Sequence, residues 1–385
     1  MVTWGAYIHI PFCKRKCKYC DFASWSEREA EMEAYIDSLG TEMMVRGQQI
    51  VLRQGAPATV YIGGGTPTAL AEGPLLTLLT LVQAVFGERI GEYTVEANPG
   101  TVTPARLTLL KRLGVNRLSL GVQSFNDRLL HRLGRIHSAA QAREALELAR
   151  EAGFENLSLD LMYGLPGQNL ADLQADVAEA LALAPEHISI YGLQVEEGTP
   201  FYAEQQAGTL DLPPEDETEA MYDYLTEALP KAGYRRYEIS NFAKPGRESR
   251  HNLGYWQDVP YLGLGVAAHS YLEGQRYENA ADLSEYMEAL QQRRLPLRSE
   301  EMMTPERHME EYAFLALRTA QGIDKQGFRK TFKKDLRQIY GKKINRLLRQ
   351  GLLRETRKNI ALTKAGAKVG NQVFAEFLLE NDGNA

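Results

Sequence analysis

The chain is poor in cysteine: its 385 residues include three, and all of them lie between positions 13 and 20. An odd number packed this closely excludes a disulfide framework. In a reducing compartment, clustered cysteines point instead to metal or redox chemistry. Long apolar runs are missing too. No stretch of 18 apolar residues occurs, so no membrane-spanning helix is expected. The opening segment MVTWGAYIHIPFCKRKC has no basic start followed by an apolar stretch and a small-residue cleavage site. A secretory signal is therefore not expected, and the expected location is cytoplasmic. There is no internal repeat and no low-complexity tract, which argues against solenoid and disordered classes.

What is present is an ordinary globular balance, with 44% hydrophobic and 24% charged residues. The formal net charge of −6 hides an asymmetry. Residues 301–385 carry seventeen Lys and Arg against ten Asp and Glu, a surplus of +7, whereas residues 1–300 carry twenty-seven against forty, or −13. A basic end can meet nucleic acid. A basic face docking on an acidic neighbour explains the asymmetry more simply, and no nucleic-acid partner is expected.

Strand-like runs at Ala6–Ile10, Thr59–Gly63, Glu92–Ala97, Arg117–Val122, Asn156–Met162 and His187–Gly192 alternate with helical patterns. The helical patterns lie near Glu29–Arg53, Pro74–Phe86, Pro104–Leu113, Ala139–Ala152 and Leu170–Ala182. This alternation predicts an α/β fold with a parallel sheet of βα units, either open or part of a barrel. Polar or glycine-containing stretches follow the strand ends: His9–Cys20, Gly63–Thr68, Glu96–Gly100, Gln123–Phe125 and Asp160–Gly167. Both architectures bind ligands at that rim. Residues 200–300 are less regular, with a helix expected at Asp216–Ala232, a strand at Arg235–Ile239 and a turn-rich segment over Asn241–Gly265. From Pro305 onward helices at Pro305–Ala320, Asp324–Thr331 and Gln338–Gln350, a hairpin over Gly351–Leu362 and a last helix from Ala365 suggest a winged helix. The expected units are 1–295 and 300–385.

The cysteines read Cys13-Lys-Arg-Lys-Cys17-Lys-Tyr-Cys20. Thiolates are the usual ligands of iron–sulfur clusters, and this spacing lets one loop take three corners of a cubane. The chain has no cysteine for the fourth corner, which leaves an iron open to a ligand, as in catalytic metal sites. The three lysines and one arginine around them favour thiolates. A zinc site with His9 as fourth ligand is the alternative; it lacks the second Cys or His pair that zinc sites ordinarily show.

With Tyr7-Ile-His-Ile-Pro-Phe12 before it, Cys-x3-Cys-x2-Cys resembles the radical SAM superfamily, in the HemN/HemW branch of oxygen-independent coproporphyrinogen III oxidase and heme chaperones. The resemblance runs on through Gly63-Gly-Gly-Thr-Pro-Thr68, Glu96-Ala-Asn-Pro99, Gly121-Val-Gln-Ser-Phe125, Gly134-Arg-Ile-His137, Asp160-Leu-Met-Tyr-Gly-Leu-Pro-Gly167 and His251-Asn-Leu-Gly-Tyr-Trp256. It implies a partial (β/α)6 TIM-type barrel with a winged-helix-like C-terminal domain. It also implies a [4Fe–4S] cluster on Cys13, Cys17 and Cys20, whose open iron takes S-adenosylmethionine. In catalytic members that cofactor yields a 5′-deoxyadenosyl radical.

For the nucleoside, the resemblance points to Gly64, Gly65 and Thr66 at the methionyl amino group, and to Tyr7 near the adenine. Glu96, Gln123, Arg135 and Asp160 match the remaining contact positions. Their chemistry suits these roles, because carboxylates hold ammonium and hydroxyl groups and a guanidinium pairs with a carboxylate. A core tyrosine is the rival reading for Tyr7, and a solvated loop arginine, with Arg132 close by, for Arg135. The Gly-rich turn is not a P-loop, because no Lys-Ser/Thr follows.

At position 22 the oxidase resembles CxxxCxxCxC, whereas this chain has Phe22. The oxidase's N-terminal extension also does not precede Tyr7. Both features are similar to the heme chaperones, so the expectation is delivery of heme to heme-accepting proteins. Radical oxidative decarboxylation of coproporphyrinogen III is the alternative, and the residues leave enzymatic activity open. The resemblance further suggests a cluster-dependent homodimer and peripheral contact with membrane heme enzymes. His251, with Tyr255 and Trp256, is the candidate heme residue, since histidine ligates heme iron and aromatic rings cover a porphyrin. A structural, hydrogen-bonded histidine is the rival reading. His269 is a second candidate.

Overall fold

The computed structural model describes residues 3–379. Six strands, β1 (Gly5–Ile10), β2 (Thr59–Gly64), β3 (Glu92–Ala97), β4 (Arg117–Gln123), β5 (Leu157–Tyr163) and β6 (His187–Gly192), lie side by side in chain order and all run parallel. Successive side chains of a strand point to opposite faces. One set, including Ile8, Ile62, Val95, Leu120, Leu159 and Ile188, is buried in the large hydrophobic core. The alternate set is polar: Tyr61, Glu96, Arg117, Ser119, Asp160, His187 and Ser189. A closed TIM barrel fills this space with branched apolar layers. A polar interior makes it a place for ligands instead.

The barrel does not close. Beyond β6 the sheet continues through β8 (Asn241–Ala243) to β7 (Arg235–Arg236). Beyond β1 it continues through β9 (Tyr261–Leu264), β10 (His269–Leu272), β11 (Gln275–Asn279) and β12 (Leu297–Met302). β9 is parallel to β1, and β10 to β12 form an antiparallel ribbon. The architecture is therefore a partial barrel with an extended sheet.

Several sequence expectations need correction here. The strand expected over Arg235–Ile239 ends at Arg236, because Tyr237 N–H donates to Asn241 O and Ser240 N–H to the Glu238 carboxylate, which turns the chain back. The segment read as turns, Asn241–Gly265, contains β8, a helix at Arg250–Trp256 and β9. The long helix Glu29–Arg53 is four joined pieces, with a wider π turn at Met43–Gly47. Helices at Asp127–Leu133, Pro200–Gln206 and Leu283–Gln291 were not foreseen.

A second core, around Phe328, Tyr340, Ile344, Leu347 and Ile360, lies in the C-terminal part. It is built from helices Pro305–Leu317, Lys325–Phe332 and Leu336–Arg349 and a small antiparallel sheet of β13 (Ile323–Asp324), β14 (Leu353–Glu355) and β15 (Asn359–Leu362). Lys364 and Lys368 pair with Asp223, and Arg318 lies 4.4 Å from the centroid of the Trp256 ring. Strand β12 belongs to the large sheet and crosses the junction expected between 295 and 300. No helix among the described residues is long and apolar enough to cross a membrane.

Candidate functional site: a cysteine loop and two adjoining cavities

The loop after β1 is tied at its base. Cys13 N–H donates to Trp25 O (2.9 Å) and Trp25 N–H to Pro11 O (2.7 Å). Lys18 N–H bonds Leu133 O, and Lys18 O accepts from Phe201 N–H, so the loop rests on helices 127–133 and 200–206. Cys13, Cys17 and Cys20 are free and partly exposed. Cys13 Sγ is 3.6 Å from Thr66 Oγ1, and Arg135 Nη1 is 3.4 Å from Cys17 Sγ. The flanking cations were expected to favour the thiolates, yet burial outweighs them and pushes the Cys13 and Cys20 thiols up. Metal binding supplies the energy to displace those protons.

A single zinc ion gathers its ligands to one point about 2.3 Å from each sulfur. His9, the alternative fourth ligand, has both ring nitrogens engaged, by Tyr7 Oη (2.9 Å) and Ala23 O (2.8 Å). Three cysteines with no free fourth ligand at His9 fit an iron–sulfur cluster with one open iron better than a closed zinc site.

A cavity of about 390 Å³ opens beside the three sulfurs. Gly64, Gly65, Thr66, Glu96, Gln123, Arg135 and Asp160 all line it. The glycine turn is obligatory. Gly64 has φ +108°, and a Cβ there would lie 2.4 Å from the locked His9 ring. A Cβ on Gly65 would lie 3.0 Å from Cys13 Sγ and closer to two backbone carbonyls. Gly65 and Thr66 donate to Ile10 O and Phe12 O (2.8 Å each), pinning the turn to the cysteine loop.

Glu96 accepts from Tyr61 Oη (2.7 Å) and Gly64 N–H (3.1 Å), and burial pushes its carboxyl up to about 7. Asp160 accepts from Ser119 Oγ (3.2 Å), and burial raises it too. Gln123 follows a bulge in β4 and sits at φ 71°. A non-glycine residue in this left-handed region stores backbone strain that its surroundings must hold. Behind it, Asp176 fixes the next turn by accepting from Ser124 Oγ and Phe125 N–H.

Arg135 donates to Gly121 O, while its buried Nε has no partner. Its rival Arg132 pairs with Glu204 and lies over Phe201, a structural role. The sequence reading missed Arg117. It is 1% exposed on the cavity floor, and its Nε and Nη1 have no partner. An arginine opening the apolar run Arg-Leu-Ser-Leu-Gly-Val was the available signal. Unpartnered buried donors are costly, and here they face a cavity that also offers two carboxylates and a hydroxyl. That inventory suits a ligand carrying both ammonium and carboxylate groups.

Tyr7 does not line this cavity. It belongs to a second one of about 640 Å³, which shares Tyr61, Gly64, Glu96, Tyr191 and Asn252 with the first. The second wall is aromatic, with Tyr7, Tyr255, Trp256, Tyr261 and Tyr271. Phe22, 59% exposed, stands where the two cavities meet. His251 also reaches this wall, but its Nδ1 bonds Thr59 Oγ1 (2.8 Å) and its Nε2 bonds Tyr255 Oη (2.9 Å). Burial, then the Arg117 charge, lowers it to about 3. Helix 250–256 begins against Glu92, which accepts from Arg250 and His251 N–H, so His251 is a fixed structural link that orients Tyr255.

This fold and donor set define a radical SAM protein, and residues 7–180 match the Radical SAM superfamily, which implies a [4Fe–4S] cluster and S-adenosylmethionine. Residues 303–369 match the HemN C-terminal domain. The heme chaperone HemW of Bacillus subtilis is 40% identical over 98% of this chain and 99% of its own length. That of Lactococcus lactis is 40% identical over 98% of each chain, and that of Escherichia coli 41% identical over 68% of each. The chain belongs to the HemW family. The fold is also that of the solved Escherichia coli coproporphyrinogen III oxidase HemN, with a TM-score of 0.84 over 98% of this chain and 90% of that one at 22% identity.

Proposed function

We propose that this protein is a cytoplasmic heme chaperone that carries a [4Fe–4S] cluster and S-adenosylmethionine and hands heme to acceptor proteins. The observation that carries the reading is the pairing of two cavities: a polar one beside the cysteines and a larger aromatic one sharing its wall. The 40% identity to the Bacillus subtilis heme chaperone over nearly the whole chain supports it.

In this reading Cys13, Cys17 and Cys20 hold the cluster. Gly64, Gly65 and Thr66 present backbone to the methionyl amino group. Arg135 takes its carboxylate, Glu96 and Asp160 accept from amino and hydroxyl groups, and Gln123 closes the site. Bound there, the cofactor supplies one-electron chemistry, while the chain binds, orients and shields. Tyr7 reaches the adenine from the second cavity. The chain is read as two units, 1–295 and 300–385, with β12 of the large sheet spanning the boundary between them. Cluster-dependent dimerisation and peripheral contact with membrane heme enzymes complete the proposal.

The test is anaerobic reconstitution followed by addition of reductant, S-adenosylmethionine and coproporphyrinogen III, with protoporphyrin read by fluorescence after oxidation. The expected result is no product from protein with an intact cluster, alongside hemin binding and transfer to an apo-acceptor. Product over many turnovers would establish the oxidase reading instead. The oxidase reading is weighed because the C-terminal part matches the HemN C-terminal domain. Against it, a phenylalanine occupies position 22.

A further inference from the structure

Three histidines line the aromatic cavity: His9, His251 and His269. Iron ligation needs a free imidazole lone pair. His9 and His251 are both buried, and each has both ring nitrogens in hydrogen bonds. His269 differs. It is exposed, and its ring has no hydrogen bond among the described residues.

Its position is also rigid. His269 opens β10 and pairs with Glu278 on β11. Its neighbour Ser270 bonds Gly263 N–H (2.9 Å), and a Cβ on Gly263 would lie 2.0 Å from His269 O, so the two strands touch at backbone level. The preceding turn contains Ala267 at φ 55°. It is held by Ala267 N–H to Ala280 O (2.8 Å) and by Gly265 N–H to the buried Glu42 carboxylate (2.8 Å). A strained, well-tied turn that presents one unpartnered imidazole to a cavity is how proteins preorganise a ligand. The same wall contains Arg276, its one Lys or Arg side chain, which pairs with Glu311 through Nη2 and keeps a buried Nε without a partner. A porphyrin has a flat apolar face and a metal at its centre, and this wall offers rings and an unpartnered imidazole.

We infer that His269, and not His251, is the protein ligand of the heme iron. One imidazole nitrogen donates its lone pair to the iron and the other keeps its proton. No redox change is required. This rests on the heme-chaperone reading.

The test uses the full chain, with hemin titrated into wild type, His269→Ala, His251→Gln and His131→Ala, and with absorption and electron paramagnetic resonance recorded. His131 is exposed on helix 127–133 and lines neither cavity. Wild type and His131→Ala should give the same histidine-ligated Soret band. His269→Ala should shift that band and weaken binding about tenfold or more, one ligand's share on the affinity scale, and added imidazole should restore the band. His251→Gln should bind more weakly, through the displaced Tyr255, yet keep the wild-type band. An unchanged band in His269→Ala, or its loss in His251→Gln with imidazole rescue there, would overturn the assignment. Absence of hemin binding by wild type would instead overturn the heme reading beneath it.

Discussion

The two cavities share a wall but differ in what they are made of. The smaller is built from strand-end loops: glycine backbone, two half-buried carboxylates and two arginines with unpartnered donors. The larger is built from rings on β1, β2, β9, β10 and helix 250–256. Fixed polar groups at close range recognise a flexible, zwitterionic ligand by direction. Stacked rings with few polar groups recognise a flat one by area. In the proposed function, placing the two side by side would keep a reactive cofactor and a bulky cargo separate yet adjacent, with Tyr61, Glu96 and Tyr191 common to both cavities.

The largest effect that sharpens this contrast is removal of one cluster ligand. Cys17→Ala should reduce iron and sulfide content to background after reconstitution, while the hemin titration keeps its end point. Loss of both together would mean the cavities are not separable.

Next comes Gly64→Ala. Its Cβ would strike the His9 ring, which is locked by Tyr7 and Ala23, and φ +108° adds about 1–3 kcal/mol of backbone strain. Binding of S-adenosylmethionine should be lost in equilibrium dialysis and the melting temperature should fall.

A pH experiment addresses Glu96. Its carboxyl is raised from 4.5 to about 7 by burial, so the folded chain holds that proton more tightly than the unfolded chain. Stability of the ligand-free protein should therefore decline as pH rises from about 4.5 to about 7. Asp160, also raised, acts in the same direction. Affinity for S-adenosylmethionine should rise across the upper part of this window as the carboxylate forms. Glu96→Gln should flatten both profiles in denaturant titrations and binding assays.

The smallest effect concerns the outer side of the aromatic wall. Arg318 lies over Trp256 and Phe374. Arg318→Ala should cost about 1 kcal/mol, read as a small shift in the denaturation midpoint, with S-adenosylmethionine binding intact.

The six parallel strands were legible because each is a short apolar run followed by glycine or a polar group, and their residues pair in chain order. β9 was not, because it has four residues and its partner β1 lies some 250 positions earlier in the chain, which leaves no local pattern. β12 was hidden for a different reason: it is an edge strand whose residues, Leu-Arg-Ser-Glu-Glu-Met, are mostly exposed and charged. At the site, seven of the eight nucleoside candidates line the first cavity because polar residues at apolar strand ends have few other reasons to be there. Arg117 escaped notice because it starts its strand, a position that ordinarily faces solvent. Tyr7 and His251 were visible as residues, but sequence does not show which side of a shared wall a ring faces, or that Thr59 and Tyr255 occupy both nitrogens of His251.

The central claim is that cofactor and cargo occupy different cavities of one chain. The most direct measurement is retention of labelled S-adenosylmethionine, by equilibrium dialysis, as hemin is titrated into the cluster-loaded protein. The account predicts that hemin binds while the label stays bound. Stoichiometric release of the label as hemin enters would contradict it.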